Sequence, residues 1–227
     1  MGYTIRPPRQ HRSAESLERL VEASIELMSE DVFDNTSITE ILTKANCSVG
    51  AFYGRFDSKE SLFHYTHERV LTDITEWLDN RFQKFERAYA DQNSELGART
   101  VCRFIIETVH EFYARKPNLY RALFLHTRIR RDPALLKRVE GANTVILKRT
   151  EALCARIKPE REGPARLSRW LKGLKVIAAY LREEVLFGGA FPSGEKTDVS
   201  AEIDELERLY LAYVRVNNNE SDKGGVT

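Results

Sequence analysis

Thr36-Ser37-Ile38-Thr39-Glu40-Ile41-Leu42-Thr43-Lys44-Ala45-Asn46-Cys47-Ser48-Val49-Gly50-Ala51-Phe52-Tyr53-Gly54-Arg55-Phe56 is the stretch on which the fold turns. Two short helical patterns, Ile38 to Ala45 and Val49 to Phe56, flank the three-residue turn Asn46-Cys47-Ser48. The bend needs a residue that tolerates a left-handed backbone, and Asn is the commonest choice after glycine. Ile38, Ile41 and Leu42 on the first helix, with Phe52 and Phe56 on the second, form an inward row. Val49, Gly50, Ala51, Tyr53, Gly54 and Arg55 are left facing out. Small residues with one Tyr and one Arg make poor core, but they suit a groove in which the backbone must approach base edges closely. The pattern is that of a helix-turn-helix.

Upstream, a helix from Ala14 to Glu30 sets Leu17, Leu20, Val21, Ser24, Ile25 and Met28 on one face and Glu15, Glu18, Glu22 and Glu26 on the other. Ser13 is its expected N-cap, and Ser16 and Arg19 fall on its solvent side. Downstream, Asp57-Ser58-Lys59-Glu60 opens a long helix that runs to about Tyr89. Further helical patterns follow from Glu95 to Arg115, Leu119 to His126, Pro133 to Ile157, Leu167 to Phe187 and Ala201 to Val216. Apolar residues recur at three- and four-residue spacing with little alternation, so the chain reads as all-α. The tail after Asn217 is polar and expected to be disordered.

Of the 227 residues, 42% are apolar, and 35 basic residues meet 34 acidic ones. This composition excludes a disordered chain. No window is long and apolar enough to span a bilayer, and no apolar stretch follows Arg6, Arg9 and Arg12 to make a signal peptide, so a cytoplasmic protein is expected. Cys47, Cys102 and Cys154 are too scattered for a disulfide framework or a metal knuckle. Charge is unevenly spread: residues 1–14 carry +3, 15–47 carry −6, 48–70 are neutral, 71–166 carry +6 and 167–227 carry −2. Nucleic-acid binding would therefore rest on a few placed groups rather than on a basic tail. No nucleophile elbow, phosphate loop or metal spacing is present, which argues against an enzyme and against a cofactor. His64 and His67 lie three apart, but Tyr65 and Glu68 do not complete a metal site with them. Asp132 with Arg128, Arg130 and Arg131 reads as a solvated corner.

From Ser13 to Phe63, about a quarter of the chain, the sequence resembles the TetR family of transcriptional regulators. Thr36-Ser37-Ile38-Thr39-Glu40-Ile41 and Ser48-Val49-Gly50-Ala51-Phe52-Tyr53-Gly54-Arg55-Phe56-Asp57-Ser58-Lys59-Glu60-Ser61-Leu62-Phe63 carry the likeness. Leu42, Asn46 and Gly54 depart from the family's usual residues. The resemblance implies a three-helix DNA-binding head over 1–57, a helical ligand-binding and dimerisation domain over 58–217, and a tail at 218–227. It also implies a homodimeric repressor that leaves a palindromic operator when a small molecule binds.

Carried over by position, Thr36 or Ser37 touches a phosphate at a helix N-terminus, Ser48, Val49 and Ala51 face bases, and Gly50 permits close approach. Tyr53, Arg55 and Lys59 hold the DNA backbone, with Arg55 as the candidate polar base contact, and Arg6, Arg9 and Arg12 follow phosphates or enter a minor groove. The resemblance further implies a pocket lined by Phe104, Thr108, Phe112, Phe124, Asn143, Leu147 and Trp170. Asn143 and Thr108 attract notice as polar residues on apolar faces. The last two helices carry more apolar surface than one packing layer needs, and the resemblance pairs them across a two-fold axis through Leu171, Leu174, Ala178, Leu181, Leu206, Tyr210 and Tyr213. The rival reading is a helical ligand-binding or scaffold protein whose helix-turn-helix only packs, and the negative 15–47 segment is its support.

Overall fold

A computed structural model describes residues 11–30, 33–89, 97–156, 164–188 and 198–215. Among them are nine α-helices: α1 (His11–Ser29), α2 (Ile38–Ala45), α3 (Val49–Tyr53), α4 (Lys59–Ala88), α5 (Ala98–Arg115), α6 (Pro117–Arg130), α7 (Pro133–Ala155), α8 (Pro164–Phe187) and α9 (Val199–Arg215). A 3-10 turn, Phe33–Asn35, joins the first two. The expected tail, the loop after Ile157, the glycine-rich link after Gly188, and Arg6 and Arg9 lie outside the described residues, as does the side chain of Arg12.

Several boundaries differ from the sequence reading. The helix expected from Ala14 begins at His11, so Ser13 lies inside it and is not its N-cap. The second helix of the motif ends at Tyr53 rather than Phe56, because Arg55 N–H and Phe56 N–H both turn back to Phe52 O at 2.9 Å and close a tight turn after Gly54. The short helix expected from Leu119 to His126 extends to Pro117–Arg130. Pro117 occupies a first-turn position, where its missing N–H and fixed φ cost nothing. Ser58 caps α4, its Oγ accepting from Ser61 N–H at 3.2 Å.

Backbone contacts gather the chain into two compact units, 1–77 with 116–143 and 78–115 with 144–227. In the first, α1 packs on α2, α3, the 3-10 turn and α6. Leu20, Ile41, Phe52, Phe56 and Phe63 are fully buried there, with Phe33 and Phe63 at 5.7 Å between centroids and Phe52 and Phe56 at the same separation. Burying one such aromatic is worth roughly 1.5–3 kcal/mol, so this cluster fixes the angle at which the small helices stand.

In the second unit α5, α8 and α9 pack against one another. Gly173 on α8 lets α9 come close: a Cβ there would lie 2.5 Å from Tyr210 Cε2, and the Tyr210 hydroxyl donates to Trp170 O at 2.8 Å. Buried Glu207 on α9 pairs with Arg99 and, at 3.0 Å, with Arg103, which also reaches Asp204 and Glu107. The bond from Arg103 holds the Asp204 carboxyl below its ordinary range.

Candidate nucleic-acid interface

The helix-turn-helix is built by local chemistry. Ser37 caps α2 in a reciprocal box, its Oγ accepting from Glu40 N–H at 3.2 Å while Glu40 Oε2 accepts from Ser37 N–H at 2.7 Å. The bond from Ser37 N–H, more than that from the side chain, lowers the Glu40 pKa. Asn46 takes the left-handed conformation the turn requires, φ 48° and ψ 51°. Ser48 then caps α3, its Oγ accepting from Ala51 N–H at 3.2 Å.

The turn is pinned from α1 by a residue that the helical periodicity assigns to solvent. Arg19 Nε donates to Ala45 O at 3.1 Å, and the Cys47 thiol donates to Ala45 O at 3.4 Å and to Ser16 O at 3.6 Å. Cys47 is thus a packing residue of the turn.

The expected contact residues divide into two groups. Ser37, Ser48, Val49, Gly50 and Tyr53 lie on one short stretch, Val49 exposed by 60% and Tyr53 by 49%, while Thr36 and Ala51 are placed beside them. Packing within the chain gives no reason for a glycine at 50: a Cβ there would meet nothing nearer than Ser48 Oγ at 4.0 Å. The room lies on the outside.

Arg55 and Lys59 depart from expectation. Arg55 is 5% exposed and turned inward by the tight turn after Gly54, so it does not stand on the outward face. Lys59 donates to Phe33 O at 3.2 Å, Asp34 O at 2.7 Å and Thr36 O at 3.0 Å, which engages all three N–H groups of an ammonium. Its Nζ also lies 5.5 Å from the Phe33 ring centroid. Lys59 thereby closes the link between α1 and α2. Such bonds to leftover carbonyls have no local sequence signal.

The corner read as solvated is also tied in. Arg130 bonds Asp34 and Glu60, its guanidinium 4.2 Å from the Phe63 centroid, and Asp132 Oδ1 accepts from Ala134 N–H at 2.7 Å. His64 and His67, both buried, face this corner. Burial lowers the pKa of each, that of His67 to about 4, so both imidazoles are neutral near pH 7.

Several residues expected to line a ligand pocket have other work in the second unit. The Phe104 ring stacks on Phe85 at 4.0 Å, and Trp170 is buried edge-on to Tyr210 at 5.2 Å. Thr108 Oγ1 donates to Phe104 O at 2.6 Å and accepts from Arg81 Nε at 3.0 Å, so its polar requirement is met within the chain. Phe112 is half-buried beside Tyr113. Leu147 is exposed. In the first unit, Asn143 is exposed rather than set in an apolar face, and half-buried Phe124 lies under Arg128.

The expected dimer row divides between buried and groove-lining residues. Leu174, Leu181, Leu206 and Tyr210 are buried inside the second unit, because α8 and α9 spend that row on α5 and on each other. Leu171 and Ala178 are half-buried, and Tyr213 is exposed. Leu206, Tyr210 and Tyr213 of that row nevertheless line a groove of about 610 Å³ together with Val176, Tyr180 and Leu209, and Val176, Tyr180, Leu209 and Tyr213 are its exposed apolar residues.

A capped helix, a left-handed asparagine turn and a second short helix with an exposed, small-residue face make up a helix-turn-helix. Residues 20–66 match the sequence profile of the bacterial regulatory proteins of the tetR family. That match lies within the helix-turn-helix head, and the likeness beyond it is one of fold. It is similar to the uncharacterised HTH-type transcriptional regulator YvdT of Bacillus subtilis, 36% identical over 64 residues. That match takes in 28% of this chain and only a third of the relative's length. Among solved structures, a putative TetR-family regulator from Mesorhizobium loti superposes with a TM-score of 0.60 at 18% identity, covering 91% of this chain and 96% of that one. FadR of Bacillus subtilis, solved in complex with stearoyl-CoA, gives 0.58 at 14% identity, covering 86% and 98%. At these identities the likeness is one of fold. No described helix is long and apolar enough to cross a membrane.

Proposed function

We propose that the protein is a DNA-binding transcriptional repressor that acts as a homodimer and leaves its operator when a small molecule binds the second unit. The observation that carries the reading is the exposed set Ser37, Ser48, Val49, Gly50 and Tyr53: it includes the caps of two helix N-termini, a phenol, and a glycine and a valine for whose exposure packing within the chain gives no reason. Helix N-termini and hydroxyls bind phosphate oxygens, and Val49 offers an apolar contact suited to a thymine methyl. Thr36 and Ala51 complete the contact set.

Dimerisation rests on the row Val176, Tyr180, Leu209 and Tyr213, an apolar surface that a second copy would cover. Ligand response is supported by the fold shared with FadR, which was solved with stearoyl-CoA. Occupancy regulates only through a preference for one spacing of the two heads.

Selection of bound fragments from randomised duplex DNA tests the reading. A palindromic consensus that Tyr53→Ala and Gly50→Val variants no longer bind is expected. Recovery of no enriched sequence by the folded dimer returns the motif to a packing role. Sedimentation of a Leu209→Glu variant tests the dimer, which is expected to dissociate.

A further inference from the structure

At the corner between α6 and α7 the first unit brings three metal-ligating groups together. Glu60 and His64 lie four residues apart on one face of α4, and Asp132 joins them from the turn before α7. His64 Nε2 is 3.3 Å from Glu60 Oε1 and 3.2 Å from Asp132 Oδ2, and one donor atom from each of the three lies within 4.8 Å of the others. The imidazole is fully buried, Asp132 is 23% exposed and Glu60 44%, so the cluster has a fixed floor and an open side.

We propose that Glu60, His64 and Asp132 form a binding site for a divalent first-row transition ion, with the remaining positions open to water. The two His64 separations suit it: ligands 2.0–2.1 Å from a tetrahedral ion stand roughly 3.3 Å apart, and the carboxylates, within 4.8 Å of each other, close on the ion by side-chain rotation. One neutral imidazole with two carboxylates is the donor set of Zn²⁺, Co²⁺ or Mn²⁺ rather than of a soft ion. Two anionic ligands balance a divalent charge.

The Asp132 carboxylate is oriented by its surroundings, whereas Arg138 must shift. Asp132 keeps Oδ1 for the α7 N-terminus, accepting from Ala134 and Leu135 N–H, and presents Oδ2 to the site. Arg130 Nη1 donates to the same Glu60 Oε1 at 2.6 Å, so the ion shares that oxygen with a guanidinium. Arg138 Nη2 stands 3.1 Å from His64 Nδ1; an arginine N–H only donates, so Nδ1 is the acceptor and the ring proton sits on Nε2. Metal binding moves that proton to Nδ1, with none released, and gives up the Nη2 contact. Arg138 retains its bonds to Ala134 O, His64 O and Glu68. The ion thus takes the place of the Nε2 proton and ties the opening turns of α4 to the corner before α7. The proposal stands whether or not the protein binds DNA.

The test is titration of the full chain with Co²⁺, read by visible absorption, and with Zn²⁺ in competition. One ion per chain, saturating on the order of 10 µM, is expected of a three-ligand site. Asp132→Asn keeps the Oδ1 cap and Glu60→Gln keeps an acceptor for Arg130, so both variants fold, which circular dichroism checks; each is expected to weaken Co²⁺ at least about tenfold. His64→Gln abolishes the spectrum, and Arg138→Gln, which removes a competing cation, binds as tightly as the parent or more so. Absence of saturable binding by about 100 µM would overturn the proposal. So would parental affinity in both carboxamide variants, or a near-ultraviolet thiolate band showing that Cys47 holds the ion.

Discussion

Replacing Lys59 by Met separates two roles that the same residue could play. The methionine keeps most of the apolar stem and removes the ammonium, and with it three hydrogen bonds to Phe33, Asp34 and Thr36 carbonyls and the contact with the Phe33 ring. A bond from a charged donor is worth more than the usual ~1 kcal/mol when buried, but Lys59 is half-buried and the freed carbonyls regain water. The net loss is therefore about 1–2 kcal/mol rather than the sum of three full bonds. For a chain of this length each kcal/mol moves Tm by about 2–4 °C, so K59M is expected to melt roughly 3–6 °C lower. If the ammonium is spent inside the protein it neutralises no phosphate, and the dependence of log Kd on log salt, measured by anisotropy with a random-sequence duplex, stays at the parental slope. The reverse pair of results, Tm unchanged to within about 1 °C and a slope shallower by about 0.9 per chain, would show that Lys59 is a phosphate ligand and that the three bonds do not form in solution.

Other consequences are as direct. Asn46→Val forces a β-branched residue to φ 48° and is expected to cost about 1–3 kcal/mol, whereas Asn46→Gly leaves stability within about 1 kcal/mol; urea melts distinguish them. Gly173→Ala drives a methyl into the buried Tyr210 ring and is expected to cost about 1–3 kcal/mol, which Tyr210→Ser, by opening space, should partly relieve in a double-mutant cycle. His67 is held neutral in the fold, its pKa lowered from 6.5 to about 4, so the unfolded chain binds the extra proton between those values. Stability falls as pH drops through that window, by about 3 kcal/mol in all, and a His67→Met variant measured in chelator should lack that part of the acid loss.

What the sequence disclosed follows from how far each determinant reaches. The limits of α2 are legible to the residue because Ser37, Glu40 and Asn46 act within four positions of themselves. The inward faces of Phe52 and Phe56 follow from helical periodicity. Lys59, Arg19 and Arg55 are illegible for the opposite reason: a long side chain beside a turn goes where unpaired carbonyls or space await it, 23 to 26 residues away for Lys59 and 26 for Arg19. The face of α8 and α9 that stays outside is equally hidden, because both helices are apolar on more than one side and only the position of α5 decides which row is spent on it.

The inward turn of Lys59 and Arg55 also changes what the charge distribution means. The expected contact set now presents Ser37, Ser48, Val49, Gly50 and Tyr53 without either cation, on a head whose 15–47 segment carries −6. Lys44 in that segment is engaged at 2.9 Å by Glu26, whose hydrogen bond raises the lysine's pKa. Counterion release needs cations at phosphates, and hydroxyls and helix N-termini release few. On the proposed function, the salt dependence of DNA binding is assigned to Arg6, Arg9 and Arg12, the only arginines or lysines before position 19. Replacing all three by Gln is expected to flatten the salt slope by about 2–3 per chain, at roughly 0.9 for each phosphate no longer neutralised, and to leave Tm nearly unchanged. A slope that survives the triple replacement would place the cationic contacts elsewhere, and would revive Lys59 and Arg55 as the residues that turn outward to meet DNA.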